Sequence, residues 1–165
     1  MATREEVVAA IREGQERVAA TFGRLTEEQL ATRIHDDEGD RWTAKQVLAH
    51  LAGRAAGYAR LTQMGIARQT PPAAGGRFDV DEWNRQRVEE RIDRPASELL
   101  EEFRRVHDDL IAQVEAMPDQ SLSRVVPLPA GERPLSDVLL MSGGRHSVSH
   151  AEVVERALGL PAPGR

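Results

Sequence analysis

The 165-residue sequence predicts an all-α fold, a four-helix bundle. Apolar residues recur at steps of three, four and seven in four long stretches, which is the spacing of the buried face of an amphipathic helix. Proline, glycine and polar residues separate these stretches. No stretch shows the extended alternation of apolar and polar residues that is typical of a β-strand. We therefore expect a single bundle domain over residues 1–165.

The first helix is predicted to begin after Thr3. Thr3 followed three residues later by Glu6 is a capping box, in which each side chain bonds the other residue's backbone N–H. One face of this helix is apolar up to Gly23: Val7, Ile11, Val18 and Phe22. A short helical turn is expected at residues 26–30. The polar residues 35–40 include a glycine and predict a loop.

The second helix is predicted to start at Thr43, a good N-cap whose capping box is completed by Gln46. It should reach about Arg68, before the prolines and glycines of residues 71–76. Its apolar face is formed by Val47, Leu51, Tyr58 and Leu61. His50 lies at the edge of that face.

The third helical region begins near Asp81 and is expected to kink or restart at residues 93–95, which include a proline. Beyond this break the apolar residues are Leu99, Phe103, Val106, Leu110, Val114 and Met117. Residues 125–134 contain three prolines and a glycine, so we predict a connecting loop there. The fourth helix should begin at Ser136 and end at Gly159. Its predicted core face is Leu135, Leu139, His146, His150, Val153 and Ala157.

His146 and His150 occupy positions of this face where a helix normally carries Leu or Val. A buried imidazole needs partners for its ring nitrogens. If the second and fourth helices face each other, His50 can join the pair. Three histidines with a fourth position open are typical of a catalytic metal site. The alternative interpretation is that they are core histidines with ordinary hydrogen bonds.

Other candidate residues have two interpretations each. Gly143 beside Gly144 could leave space for a substrate, or could allow close helix packing. Tyr58, about two turns after His50, could donate a proton or simply fill the core. A polar and aromatic group could line the mouth of a pocket or could cap and pack its helix: Asp81, Trp83 and Asn84. The remaining histidines, His35 and His107, are predicted to lie at the surface.

The composition excludes several classes of protein. A net charge of −5 with interleaved signs argues against a nucleic-acid binder. The absence of cysteine excludes disulfides, thiolate nucleophiles and Cys-bound zinc. Ser147 stands where the zinc-protease motif HExxH needs glutamate. The N-terminal residues lack the apolar run of a signal peptide and no stretch is long enough to span a membrane, so we expect a soluble, cytoplasmic protein.

Residues 42–51, WTAKQVLAHL, together with His146-x-x-x-His150, closely resemble the DinB-like superfamily. That group includes the metal-binding domain of mycothiol-dependent maleylpyruvate isomerase and bacillithiol-dependent transferases. Residues 78–103 look most like its ClbS-like branch, some of whose members hydrolyse a reactive cyclopropane. The resemblance implies a four-helix bundle in which His50, His146 and His150 bind zinc, nickel or a similar divalent ion. In the isomerase branch a glutamate commonly stands at the position of His146, which disfavours maleylpyruvate isomerisation here.

Three functions are consistent with these residues. The first is a metal-dependent enzyme acting on a small molecule by hydrolysis or by thiol transfer, with a low-molecular-weight thiol as a possible cofactor. The second is a non-catalytic protein of the ClbS-like type that binds a toxic or stress-related small molecule. The third is a purely structural bundle that dimerises through a helix face. A homodimer is compatible with each of them.

Overall fold

The computed structural model describes residues 1–34, 42–66, 80–128 and 131–162, without the side chains of residues 58–66, 80 and 127–128. The described elements follow one another along the chain. They are α1 (Arg4–Phe22), α2 (Glu27–Ala31), α3 (Ala44–Ile66), α4 (Val80–Glu89), α5 (Ala96–Ala116), α6 (Asp119–Leu122), β1 (Val125–Leu128), β2 (Gly131–Pro134), α7 (Leu135–Leu139), a π-helical turn (Leu140–Arg145) and α8 (His146–Ala157).

The architecture is the predicted four-helix bundle. Its long members are α1, α3, α5 and a composite last helix in which α7, the π turn and α8 follow without a break. The short helix α4 packs along α3, where Gly53 and Gly57 face the side chains of Arg87 and Trp83. None of the described helices is long and apolar enough to cross a membrane.

The predicted helix starts are confirmed at α1 and α3. The Thr3 hydroxyl accepts from the Glu6 N–H at 3.2 Å, and the Glu6 carboxylate accepts from the Thr3 N–H at 2.8 Å. Thr43 and Gln46 exchange the same two bonds, at 3.2 and 2.8 Å. Each box satisfies two N–H groups that the helix itself leaves without acceptors. The predicted break before α5 is a restart, since α4 ends at Glu89 and α5 begins after Pro95.

The prediction of a loop over residues 125–134 is wrong. β1 and β2 form an antiparallel hairpin in which Val125 pairs with Pro134 and Leu128 with Gly131. Each strand is only four residues long and carries a proline, so the sequence offers no alternation to detect. A two-stranded ribbon tolerates proline because each strand has one edge that is not paired.

The predicted core face of the last helix is also partly wrong. Buried residues recur at an unbroken step of four: Leu135, Leu139, Gly143, Ser147, Ala151 and Glu155. Val153 is half-buried and Ala157 is exposed. The π turn explains the difference, because it contains one more residue than an α-helical turn. An α-helix turns by about 100° per residue. Every side chain after the π turn is therefore rotated about the helix axis by about that angle, relative to its direction in an uninterrupted α-helix.

Two apolar clusters form the core. The larger one joins α1, the α1–α3 connection, α3, α4, α5 and α8, and it includes Phe22, Leu48, Phe103 and Val154. The second lies between α1, α5, the hairpin and α7, and it includes Ile11, Leu110 and Leu135. The buried carboxylate of Glu155 connects α8 to α1. It accepts hydrogen bonds from the Thr21 hydroxyl and from the Arg17 guanidinium, the latter at 2.6 Å.

Glycine allows α1 to approach the π turn closely. A Cβ at Gly144 would lie 2.4 Å from the backbone oxygen of Ala10, and one at Gly14 would lie 2.9 Å from the oxygen of Gly144. Carbon and oxygen atoms do not approach this closely without displacement of the backbone. Gly14 and Gly144 are therefore required by the packing of the two helices.

Replacing Gly144 with alanine should destabilise the protein by about 1–3 kcal/mol, the usual cost of overpacking a well-packed interior. Urea denaturation monitored by circular dichroism measures this free energy of unfolding. Gly57→Ala is the matched control, because its Cβ would meet Trp83 at an ordinary 3.4 Å. That change should stabilise α3 by a few tenths to about 1 kcal/mol through helix propensity. Equal free energies of unfolding for the two variants would contradict the close approach at Gly144.

Candidate metal centre

His50 is positioned by the second turn of α3. The Thr43–Gln46 capping box fixes the first turn, and His50 follows one turn after Gln46. Its side chain is only 2 % exposed, and its ring lies against Trp42 with the centroids 4.8 Å apart. Both the helix start and the adjacent aromatic ring restrict the direction of this imidazole.

His146 and His150 are positioned by the π turn. His146 is the first residue of α8 and directly follows the last residue of the π turn, and His150 lies one turn later on the same face. His150 is 5 % exposed and His146 is half-buried. The rotation at the π turn brings this face towards α3, while Ser147 and Ala151 occupy the core.

The three imidazoles meet through the same ring atom. The Nε2 atom of His146 lies 3.3 Å from that of His50 and 3.0 Å from that of His150. All three ring pairs are in contact, with centroids 4.3–5.6 Å apart. This arrangement brings together the three histidines that the sequence singles out.

Hydrogen bonds among the histidines cannot satisfy all three nitrogens. A neutral imidazole nitrogen either donates its one N–H or accepts at its one lone pair. The Nε2 atom of His146 faces two others, so it can bond fully to only one of them. A cation can instead accept all three lone pairs. Nitrogens bound to one tetrahedral zinc ion at about 2.0–2.1 Å are roughly 3.3 Å apart, close to the two observed distances.

The electrostatics of the site favour neutral rings at His50 and His146. Burial is the main cause that lowers the pKa of His50 from 6.5 to about 2, with further lowering by electrostatic repulsion from the neighbouring His150 and Arg54. Burial likewise lowers the pKa of His146 to about 2, and Arg54, His150 and His50 add to the effect. Arg54 follows His50 by one helical turn. Neutral imidazoles have the free lone pairs that metal ligation requires.

The donor set is composed of imidazoles alone. Among the described residues, no carboxylate joins His50, His146 and His150 in the group of possible ligands. Three protein ligands leave at least one coordination position for a water or a substrate, as in catalytic zinc sites. His50 Nδ1, the atom that faces away from the cluster, is buried and has no hydrogen-bond partner among the described residues.

The predicted pocket residues on α4 lie beside α3. Asp81 is exposed, and the Trp83 ring lies over Gly57, where an added Cβ would be 3.4 Å away. Asn84 is 8 % exposed, and its Oδ1 has no hydrogen-bond partner among the described residues. Their role in substrate binding stays a prediction. The same holds for Tyr58, whose side chain lies outside the described residues.

Gly143 is buried between α1 and α5. A Cβ on it would lie 3.1 Å from Ile11 and 3.7 Å from Leu110. These contacts, with those of Gly144, favour the close-packing interpretation of the glycine pair over a substrate space.

The prediction that His107 lies at the surface is wrong, because its side chain is only 1 % exposed. Its spacing from two core residues was the available signal: it follows Phe103 by four residues and precedes Leu110 by three. The charged neighbours of His107 obscured that pattern. His35 lies outside the described residues.

The fold is shared with solved structures of low sequence identity. YfiT from Bacillus subtilis, described as a probable metal-dependent hydrolase with an unusual four-helix bundle topology, is 20% identical, with a TM-score of 0.75 over 96% of this chain and 89% of that chain. A mycothiol-dependent maleylpyruvate isomerase is 18% identical, with a TM-score of 0.73 over 96% of this chain and 70% of that chain. A protein from Streptococcus pneumoniae is 14% identical, with a TM-score of 0.70 over 96% and 93% of the two chains.

No curated protein matches the sequence. A family model does match, that of the mycothiol maleylpyruvate isomerase N-terminal domain, over residues 11–141. This range includes α3 with His50 and ends before His146 and His150, so the case for those two histidines as metal ligands depends on the geometry of the last helix. The chain belongs to the mycothiol maleylpyruvate isomerase N-terminal domain family and, with it, to the DinB-like superfamily.

Proposed function

We propose that this protein is a metal-dependent enzyme that acts on a small molecule by hydrolysis or by thiol transfer. His50, His146 and His150 would hold the divalent ion, which would supply Lewis-acid chemistry to the reacting group. The single observation that carries this proposal is the approach of three imidazoles on two helices, in which the Nε2 atom of His146 lies 3.3 Å from that of His50 and 3.0 Å from that of His150.

The residues around the site hold the three imidazoles in place and set the charge of their surroundings. The three imidazoles are fixed on two helices before any ion arrives, so little conformational entropy is lost on binding. Trp42 packs on the His50 ring and shields one side of the site from water. The positive charge of Arg54 beside the imidazoles favours an anionic reacting group.

The ion supplies Lewis-acid chemistry when it is bound, because it lowers the pKa of a coordinated water or thiol towards neutrality. Zinc and nickel are the ions that we propose, since both accept imidazole ligands. The chain has no cysteine, so a thiol nucleophile has to come from a low-molecular-weight thiol. The structurally similar isomerase is mycothiol-dependent, which supports this possibility for the family fold.

The protein should bind one divalent ion, and replacement of any one of His50, His146 or His150 with alanine should weaken binding by at least 100-fold, since each removes one of three ligands. Titration of metal-free protein with Co²⁺, followed by its visible absorption, measures this affinity. Ser149→Ala, an exposed position on the same helix, is the matched control and should bind like the wild type.

The same titration separates the candidate functions. Cysteine added to the Co²⁺-loaded protein should produce a thiolate-to-metal charge-transfer band if the open position accepts thiols, and 4-nitrophenyl acetate tests for hydrolysis. Saturable binding of either probe without turnover would support a binding protein. A wild-type protein that takes up no Co²⁺, Zn²⁺ or Ni²⁺ would contradict the metal-dependent proposal.

The stability of the metal-free protein should decrease as the pH falls below 6.5. The pKa of His50 and of His146 is about 2 in the folded protein, against the ordinary histidine value of 6.5 in the unfolded chain, so between these values the unfolded chain binds more protons. Their contribution is nearly complete at pH 7.5, and from pH 6.5 to pH 5 the loss should be on the order of 3 kcal/mol for the pair. Urea unfolding at pH 7.5, 6.5 and 5.0 measures it.

The control for this pH dependence is the double variant His50→Gln with His146→Gln. Glutamine does not titrate, so the variant should lose less stability than the wild type over the same pH interval. Parallel curves for the two proteins would show that other groups cause the acid sensitivity.

A further inference from the structure

The cluster of three imidazoles is more open on one side than on the other. Trp42 precedes α3, and its ring packs on His50, so it covers the end of the cluster nearest the start of α3. His50 and His150 are buried, whereas His146 is half-buried. A small molecule can therefore approach the cluster beside His146, away from Trp42.

α3 and the last helix run in opposite directions past this cluster. α7 belongs to the smaller apolar cluster and α8 to the larger one, whereas the first turns of α3 lie in the larger one. α3 contacts α7, the π turn and α8. The residues that follow His50 in α3 therefore lie beside the residues that precede His146 in the last helix.

Two polar residues lie next to the histidines on this side of the cluster. Arg54 follows His50 by four residues, and Ser142 precedes His146 by four. Each of the two therefore lies one helical turn from a histidine, on nearly the same face of its helix. Both side chains are half-buried. The opposite directions of the two helices place Arg54 and Ser142 together on the side of the cluster that Trp42 leaves open.

Arg54 gives this side of the site a positive charge. The charge contributes to the lowered pKa of both His50 and His146, so the guanidinium lies near both rings, and its Nε atom is buried. Among the described residues, no carboxylate joins the three histidines in the group of possible ligands. A divalent ion would add further positive charge. An anionic ligand is therefore favoured electrostatically on this side.

A carboxylate is the anion that these two side chains fit. A guanidinium has five N–H donors in a planar fork that matches the two oxygens of a carboxylate, and it can bind one while it keeps other contacts. A serine hydroxyl can donate one further hydrogen bond. One fork and one hydroxyl suit the two oxygens of a carboxylate better than the three oxygens and larger charge of a phosphate group.

We propose that Arg54 and Ser142 form a carboxylate-binding subsite beside the candidate metal centre. The molecule that this site takes carries a carboxylate next to the group that reaches the ion, as in a small thiol acid or hydroxy acid. This inference rests on the proposed function for the role of the ion, whereas the subsite itself can also be tested in metal-free protein.

Two thiols of similar size test the subsite in the Co²⁺-loaded protein. Mercaptoacetate carries a carboxylate where 2-mercaptoethanol carries a hydroxymethyl group, and a thiolate-to-metal charge-transfer band reports the binding of either. The ratio of their dissociation constants measures the preference for the carboxylate. Comparing this ratio between variants cancels the difference in acidity of the two thiols. Glycolate against ethylene glycol, followed by the Co²⁺ absorption, repeats the comparison without a thiol.

The variants separate the two side chains from a general effect of charge. Arg54→Gln should reduce the preference for mercaptoacetate by about 10-fold or more and Ser142→Ala by about 5-fold, since the first removes charge-assisted hydrogen bonds and the second a neutral one. Arg54→Lys keeps the charge without the fork and should retain only part of the preference. Arg145→Gln is the matched control, because Arg145 is exposed, contacts Met141 and is adjacent to His146 in the sequence. It should change the ratio by less than about 2-fold.

The affinity for Co²⁺ itself should move in the opposite direction. Arg54 repels a cation bound at the imidazoles, so Arg54→Gln should bind Co²⁺ at least as tightly as the wild type while it binds mercaptoacetate more weakly. Displacement of the imidazoles by the substitution would weaken both affinities. The decision would then rest on Arg54→Lys and Ser142→Ala, which are interpreted in the same way.

Metal-free protein distinguishes failure of this inference from failure of the proposed function. The ¹H–¹⁵N signal of the buried Arg54 Nε–H should shift saturably with glycolate but not with ethylene glycol. If the wild type binds no metal, the proposed function fails, while this shift still decides the subsite. Absence of the shift, an unchanged preference in Arg54→Gln, or equal losses in Arg54→Gln and Arg145→Gln would overturn the inference.

Discussion

The register of the last helix is the constraint on which the rest of this structure depends. The π turn rotates α8 relative to α7, so that small residues face the core while His146 and His150 face α3. Without that rotation the same sequence would direct other side chains towards His50. The contact with Ala10 that only glycine allows at position 144 holds this irregular turn in a fold that is otherwise built from regular helices. A π turn interrupts the regular bonding of its helix, and such turns are frequent at functional sites.

The cluster of histidines also has an electrostatic consequence. Three imidazoles in a buried position face one another without a carboxylate among the described residues, so each additional proton would add a positive charge in a poorly solvated site. Burial and the charge of Arg54 keep His50 and His146 neutral. The arrangement suits a cation, and the same electrostatics are the reason why we expect the metal-free protein to be sensitive to acid.

Membership of the family establishes the fold, but it does not identify the reaction, which depends on the residues of the site. The solved structures that share this bundle include a probable hydrolase and a thiol-dependent isomerase, at 18–20% identity. One fold can therefore support different chemistry according to the ligands and the space around them. In this chain the candidate ligands are three imidazoles, and the sequence itself has no cysteine thiol.

The sequence by itself determined the helices of the bundle, the capping boxes at Thr3 and Thr43 and the three histidines, since each depends on spacing within a few neighbouring residues. It did not determine the β1–β2 hairpin, because short proline-containing strands have no periodic signal. Only the tertiary structure decided the π turn, the burial of His107 and the approach of the three Nε2 atoms. These features arise where α1, α3 and α5 pack against the last helix, and contacts between residues distant in the chain leave no fixed spacing in the sequence.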